Sequence, residues 1–264
     1  MRLGAFRAVT YPSIRDYQAT LAPGRARRVG SVSGFGVSVF DPRGIASHDG
    51  VLYMVAGRRH ASNGAFYRLN STNGVATLIA NAPFENIGGQ LFRAVPTGLA
   101  SHGGSLYVVS EEADRLYTID PATGGWARVG SADDFGVGET APAGLASYNG
   151  TLYMVGSTRG RLFTLNPTTG VASTVGTATD FGVGEGVPTG IASHRGQFYM
   201  VGSQTDALYI VGVSSFQAGF ASRIGSETAF GVGETRPQGL TSHNRKLYMV
   251  GSTANALYTI EDAG

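Results

Sequence analysis

The chain has 264 residues, a formal net charge of +2 and only 14% charged residues. That balance excludes the dense basic face that a nucleic-acid binder needs. With no cysteine, neither disulfides nor a zinc–thiolate centre holds the fold, and a chain of this length buries an ample core without them.

The first residues are rich in arginine, with Arg2, Arg7, Arg15, Arg25, Arg27 and Arg28. No secretory h-region follows Met1 and no stretch is apolar and long enough to cross a bilayer, so extracellular and cytoplasmic locations both stay open. Residues 1–25 read as a lead-in. Within it, residues 4–9 and 17–23 faintly echo strand sequences found later in the chain. Residues 26–37 (ARRVGSVSGFGV) match residues 172–183 (ASTVGTATDFGV) much more closely.

From Gly44 a single sentence repeats. GIASHDGVLYMV at Gly44 returns as GLASHGGSLYVV at Gly98, GLASYNGTLYMV at Gly144, GIASHRGQFYMV at Gly190 and GLTSHNRKLYMV at Gly239. Successive starts lie 54, 46, 46 and 49 residues apart, a period that marks a propeller, solenoid or array. In the copy at Gly144 the apolar runs are 144–147, 152–155, 162–165 and 172–175. Asn149-Gly150 between the first two is a strong hairpin signal, because both residues tolerate positive φ. Asn166-Pro-Thr-Thr-Gly170 sets one turn residue through proline and ends on a permissive glycine. No window carries a 3.6-residue apolar period.

Four short antiparallel strands in each such unit predict a blade of a β-propeller. The Leu-Tyr-Met-Val strand is apolar on both faces, as a blade stacked between two neighbours requires. The last copy stops after Ile260 without a fourth strand, and residues 26–37 supply one. The expected fold is therefore all-β: one propeller domain over residues 26–264, with five blades closed by the N-terminal segment. The alternative is six blades, with residues 4–9 and 17–23 contributing to an extra one. Those segments could instead pair with another chain; otherwise a monomer is expected.

Leu-Tyr-Thr-Ile-Asp-Pro-Ala-Thr-Gly at 116–124 and Leu-Phe-Thr-Leu-Asn-Pro-Thr-Thr-Gly at 162–170 resemble the strand–turn signature of uncharacterised bacterial and animal propeller repeats. The resemblance covers residues 26–264 and implies architecture, not activity. A more distant similarity links Asp120-Pro-Ala-Thr-Gly-Gly-Trp126 to quinone-type propellers, whose turn is followed by a docking tryptophan. Trp126 is the sole tryptophan, so quinone binding is not carried over, and no cofactor or metal is expected.

Chain order puts the loop between strands four and one on the same face as the loop between strands two and three. The first carries Phe-Gly-Val-Gly-Glu three times, placing Glu139, Glu185 and Glu234 at equivalent positions, with Val39 there in the N-terminal copy. Two readings follow. The glutamates form a partial carboxylate ring for cations or sugar hydroxyls, or each caps backbone N–H groups of its own loop or pairs with arginine. The connection over residues 84–95 is longer and breaks the pattern. The second loop repeats Ser157, Ser203 and Ser252 with varied tips at Arg159, Asp206 and Asn255. That frame suits similar but non-identical pockets, or ordinary turns.

His48, His102, His194 and His243 follow the serine of each inner strand, with Tyr148 in the fifth place. Each lies on a different blade, so they do not converge as metal ligands must; a structural hydrogen bond within each blade is the expectation. His60 lies alone in an atypical loop. Asn70-Ser-Thr and Asn149-Gly-Thr are glycosylation sequons in turns. There is no Gly-x-Ser-x-Gly elbow or phosphate loop, and Asp133-Asp134 occurs in one copy only. The sequence therefore points to a non-catalytic binding module with several quasi-equivalent sites, for carbohydrate or a protein surface. A ligand-free repeat scaffold and a glycan hydrolase using the repeated glutamates are the alternatives.

Overall fold

The chain is a five-bladed β-propeller. The computed structural model describes residues 23–37, 41–57, 64–87, 90–214 and 217–261. The segments 4–9 and 17–22, with Val39 and His60, lie outside them. Blade 1 contains β2 (Pro42–His48), β3 (Val51–Ala56), β4 (Ala65–Leu69) and β5 (Ala76–Asn81). A two-stranded hairpin, β6 (Phe84–Ile87) with β7 (Gln90–Arg93), leads to blade 2: β8 (Pro96–His102), β9 (Ser105–Ser110), β10 (Arg115–Ile119) and β11 (Trp126–Arg128). Blade 3 holds β12 (Pro142–Tyr148), β13 (Thr151–Gly156), β14 (Arg161–Leu165) and β15 (Ala172–Thr174). Blade 4 holds β16 (Pro188–His194), β17 (Gln197–Gly202), β18 (Ala207–Val211) and β19 (Ala221–Ile224).

Blade 5 is built from both ends of the chain. It joins β20 (Pro237–His243), β21 (Lys246–Gly251) and β22 (Ala256–Ile260) to β1 (Ala26–Arg28). Ala26, Arg27 and Arg28 pair with Ile260, Thr259 and Tyr258. The ladder continues past the strand, with Gly24 donating to the Glu261 carbonyl at 2.7 Å and Val29 to that of Leu257 at 2.8 Å. Ring closure thus replaces a long exposed edge, which would template association.

Each inner strand starts at a proline, a position that needs no ladder N–H. Two residues later comes a glycine, and the five glycines meet at the axis. A Cβ on Gly44 would lie 2.7 Å from the amide nitrogen of Leu99, and one on Gly144 would lie 2.8 Å from the Cα of Gly190. Gly98, Gly190 and Gly239 are equally blocked by the backbone of the next blade. The strands come this close only because no side chain intervenes.

Farther out, four buried phenylalanines wedge the junctions. Phe35 packs with residues of blades 5 and 1, Phe135 with blades 2 and 3, Phe181 with blades 3 and 4, and Phe230 with blades 4 and 5. Each has φ between 52° and 57°. That left-handed conformation costs an L-residue about 1–2 kcal/mol, and full burial of the ring, worth about 1.5–3 kcal/mol, offsets it. The junction of blades 1 and 2 has the β6–β7 hairpin in place of this loop. There Phe66, stacked on Tyr53 at 5.3 Å, stands where blades 2 to 5 carry Leu116, Leu162, Leu208 and Leu257.

Closure by β1 predicts that removing residues through Arg28 abolishes the single cooperative thermal transition. An unchanged melting temperature in that truncation would show that the ring does not depend on β1.

Candidate functional site

The glycine contacts leave no room for water at the axis, where Ile45, Leu99, Leu145, Ile191 and Leu240 flank them. The axis is therefore not a through channel; it ends blind from both sides. On the face where the inner strands begin, a funnel of about 380 Å³ opens. Residues on either side of the strand-initiating prolines, all but Asp41 and Val95, help to line it. The residues before the prolines are Asp41, Val95, Ala141, Val187 and Arg236, and those after them are Arg43, Thr97, Ala143, Thr189 and Gln238. These ten positions vary from blade to blade within strands that otherwise repeat closely.

The variation is lopsided. Around blades 5, 1 and 2 the funnel is charged: Arg43 lies 3.9 Å from Glu111, and Arg236 lies 3.7 Å from Asp41. The Nε of Arg43 is buried and has no hydrogen-bond partner among the described residues. Around blades 3 and 4 the lining is neutral, with Thr189, Ser157 and Ser203. Several hydroxyls also tie blades together. Thr97 donates to the Pro142 carbonyl and Thr189 to that of Pro237, both at 2.7 Å, and Ser157 donates to that of Pro188 at 3.3 Å.

The repeated glutamates lie behind this lining and are 0–1% exposed. Glu139 Oε1 accepts from the amides of Ala141 and Thr158 at 2.9 and 3.1 Å. Glu185 accepts from Val187, Gln204 and Thr205 amides and from the Thr205 hydroxyl. Glu234 accepts from Arg236 and Thr253 amides at 2.9 and 3.0 Å, and from Tyr258 Oη at 3.3 Å. Burial, then the charge of Glu234, pushes the Tyr258 phenol up to about 12. Each carboxylate thus bonds to backbone in its own loop and in the loop between strands two and three of its blade. Each also fills the space above a glycine, Gly156, Gly202 or Gly251, that no Cβ could share. Glu139 is the least satisfied: its Oε2 has no hydrogen-bond partner among the described residues, and Phe163 stands where Tyr258 supplies a hydroxyl in blade 5.

Ser157 and Ser203 line the funnel. Ser252 is buried and contacts Gln238 and the Arg236 carbonyl. Of the tips, Arg159 is exposed, while Asp206 and Asn255 are half-buried, each with a buried Oδ1 that has no hydrogen-bond partner among the described residues. Burial, followed by the negative charges of Glu185 and Glu234, raises the Asp206 carboxyl above its ordinary range. Asp133 lies outside the funnel, held well below that range chiefly by Arg115, whose Nε donates to it at 2.8 Å.

The histidines correct one expectation. Their hydrogen bonds run between blades, not within them: His48 to Ser101 at 2.8 Å, His102 to Ser147 at 2.9 Å, His194 to Ser242 at 2.7 Å and His243 to Ser47 at 2.9 Å. Stacking at the axis brings the neighbouring serine closer than any partner in the same sheet. No group of three or more histidine or acidic side chains among the described residues is placed to hold a metal ion. The proline-flanking residues of the funnel are what sequence reasoning missed. Their signal was variation at fixed positions inside an otherwise regular repeat.

No protein-family model matches the chain, and no curated protein matches it significantly in sequence. Solved structures do resemble it. Glutaminyl cyclase of Myxococcus xanthus superposes with a TM-score of 0.59 at 15% identity, over 90% of this chain and 97% of that one. The PQQ-bound aldose sugar dehydrogenase of Streptomyces coelicolor gives 0.51 at 14%, over 91% and 99%. A gluconolactonase of Xanthomonas campestris gives 0.52 at 12%, over 92% and 86%. At these identities the likeness is one of fold. The dehydrogenase agrees at that level with the distant quinone-type similarity in sequence. Trp126 accordingly packs 5.5 Å from Tyr117 and against the cluster joining blades 1 and 2.

The raised Asp206 carboxyl has a consequence for stability. Between the ordinary and the raised value the folded state binds more protons, so stability falls as pH rises through that window and stays lower above it. Asp206→Asn, the residue that blade 5 carries as Asn255, is expected to raise the melting temperature at neutral pH and leave it unchanged where the aspartate is protonated. Glu185→Gln should lower stability by about 1–3 kcal/mol, through weakened bonds to buried amides.

Proposed function

We propose that this protein is a non-catalytic binding module that takes a hydroxyl-rich ligand, a carbohydrate being the class to test, in the axial funnel. The observation that carries the reading is where the repeat varies. Strand cores and the axial glycines recur in every blade, whereas the funnel positions differ and set a charged half against a neutral half. A ring kept for folding alone has no need of such asymmetry at one mouth. Arg43, Glu111 and Gln238 offer donors and acceptors, and the serines and threonines add hydroxyls, the mixture that sugar hydroxyls match. An overall volume of about 380 Å³ lies within the range of small-ligand sites, roughly 300–1,000 Å³.

The non-catalytic part of the reading rests on the carboxylates. Hydrolysis needs two acids flanking one bond, and the three repeated glutamates are already engaged with backbone amides. A second reading keeps several equivalent sites at the loop tips. It is favoured by the unpartnered Oδ1 atoms of Asp206 and Asn255 at matching positions.

A glycan array followed by calorimetry separates these. The funnel predicts one site per chain, weakened roughly tenfold or more by Arg43→Gln, since hydrogen bonds to a charged group are worth about 1.5–3 kcal/mol. Two or more sites, insensitive to Arg43 but lost on changing Asp206 and Asn255, would move binding to the loops. Turnover of a glycan that is abolished by Glu139→Gln would overturn the non-catalytic reading.

A further inference from the structure

On the opposite side of the glycine seal the axis holds a second blind cavity of about 140 Å³, room for on the order of four or five waters. Ser47, Ser101, Ser147, Ser193 and Ser242 ring it, with Thr241 beside them. Four of these serines are bonded to a histidine of the preceding blade. The fifth, Ser193, has no side-chain hydrogen bond among the described residues. Tyr148 takes the histidine's place there and donates past it to the Gly196 carbonyl at 2.9 Å.

The direction of the four histidine–serine bonds decides what the cavity offers. A neutral imidazole presents either a lone pair or a proton at Nδ1, but an imidazolium presents a proton at both nitrogens. Once charged, each histidine must donate from Nδ1 to its serine oxygen. The serine hydrogen then has to point away from the ring nitrogen, which leaves the cavity. Each hydroxyl whose histidine had offered a lone pair would thus turn inward as positive charge appears behind it; Ser47, whose partner His243 accepts at Nε2 from Asn244 and so already donates from Nδ1, and Ser193 are donors to the cavity at either pH.

We propose that this hydroxyl-lined bowl is a pH-gated site for a small inorganic oxyanion, of which phosphate is the type. It binds when the surrounding histidines are protonated and releases when they are neutral. The charged groups near the histidines are mainly cationic, the sign that an anion needs. The turns that end the five inner strands carry Arg195, Arg245 and the adjacent Lys246 against one carboxylate, Asp49. Asp49 lies 3.5 Å from His48 Nε2. Arg68 shares with His243 the groove between blades 5 and 1, and the Asn244 Nδ2 donates to His243 Nε2 at 2.9 Å, a bond that the amide must give up or turn round when that nitrogen takes a proton. Aromatic rings pack beside them: Tyr53, Tyr107, Tyr199 and Tyr248 sit 5.8–6.5 Å from the four histidine rings. Burial holds the His243 pKa below its ordinary value, so the gate opens on the acid side of neutrality. By linkage a bound anion raises the histidine pKa values in return.

The test is calorimetric titration of the intact protein with inorganic phosphate at matched ionic strength, near pH 5 and near pH 7.5, with histidine pKa values followed by NMR. The expected result is saturable binding at the acid pH that weakens at least tenfold at the higher one. Phosphate should also raise the pKa of at least two of His48, His102, His194 and His243. His194→Gln keeps a hydrogen-bonding side chain that cannot charge, and should weaken acid binding; Arg43→Gln, in the funnel, should not. No binding near pH 5, equal binding at both pH values, or loss of binding in Arg43→Gln overturns the proposal. The NMR titration of the unaltered protein decides the matter even if a variant fails to fold.

Discussion

The architecture depends on one steric fact: five backbones meet at the axis with no side chain between them. Glycine at 44, 98, 144, 190 and 239 is what permits it, since a single methyl group at any of them would enter the next blade's backbone. Close-packed interiors do not absorb such an intrusion easily. Because the inner strands are drawn in this far, the flanking residues come within hydrogen-bonding range of the next blade. Thr97 and Thr189 bridge blades on one side of the seal, and the histidine–serine pairs bridge them on the other. The same contacts divide the axis into two blind cavities of different chemistry.

Around that hub the repeat is maintained for assembly. The buried glutamates illustrate it. Where Glu139, Glu185 and Glu234 occupy the loop, the strand end beside them is Gly156, Gly202 or Gly251. Blade 2, which is preceded by the β6–β7 hairpin, has Ser110 at that strand end, and blade 1 has Ala56. A carboxylate and a missing Cβ therefore go together, as two halves of one packing solution. The buried charge is accommodated by backbone N–H groups, which is what an ionised carboxylate out of water requires. Departures from the repeat have the opposite meaning. Those at the funnel mouth and at Tyr148 change the groups that face the two axial cavities while the strands around them stay the same.

Much of this was legible in the sequence. The five copies, the hairpin signals and the match of residues 26–37 to an outer strand led to five blades closed at the N-terminus, and β1 pairs with β22 accordingly. Function was less legible, for a physical reason. Repetition makes a residue conspicuous when it recurs, and Glu139, Glu185, Glu234 and the histidines recur because the ring needs them. The funnel residues are individually ordinary: Arg43, Thr97, Ala143, Thr189 and Gln238 share a place between proline and glycine but no common chemistry. Only the three-dimensional ring brings them to one mouth. The direction of the histidine bonds was hidden likewise, since nothing in a linear repeat distinguishes a partner in the same blade from one in the next.

The most direct measurement is the unfolding free energy of single glycine-to-alanine variants at the five axial positions, set beside Gly104→Ala in an open hairpin turn, where an added Cβ meets nothing. The account predicts that each axial substitution destabilises the protein by more than about 3 kcal/mol or prevents folding, beyond the ordinary range of overpacking. Gly104→Ala should cost about 1 kcal/mol, from its left-handed backbone alone. Axial variants no less stable than Gly104→Ala would mean that the blades are not held by their contact at the axis.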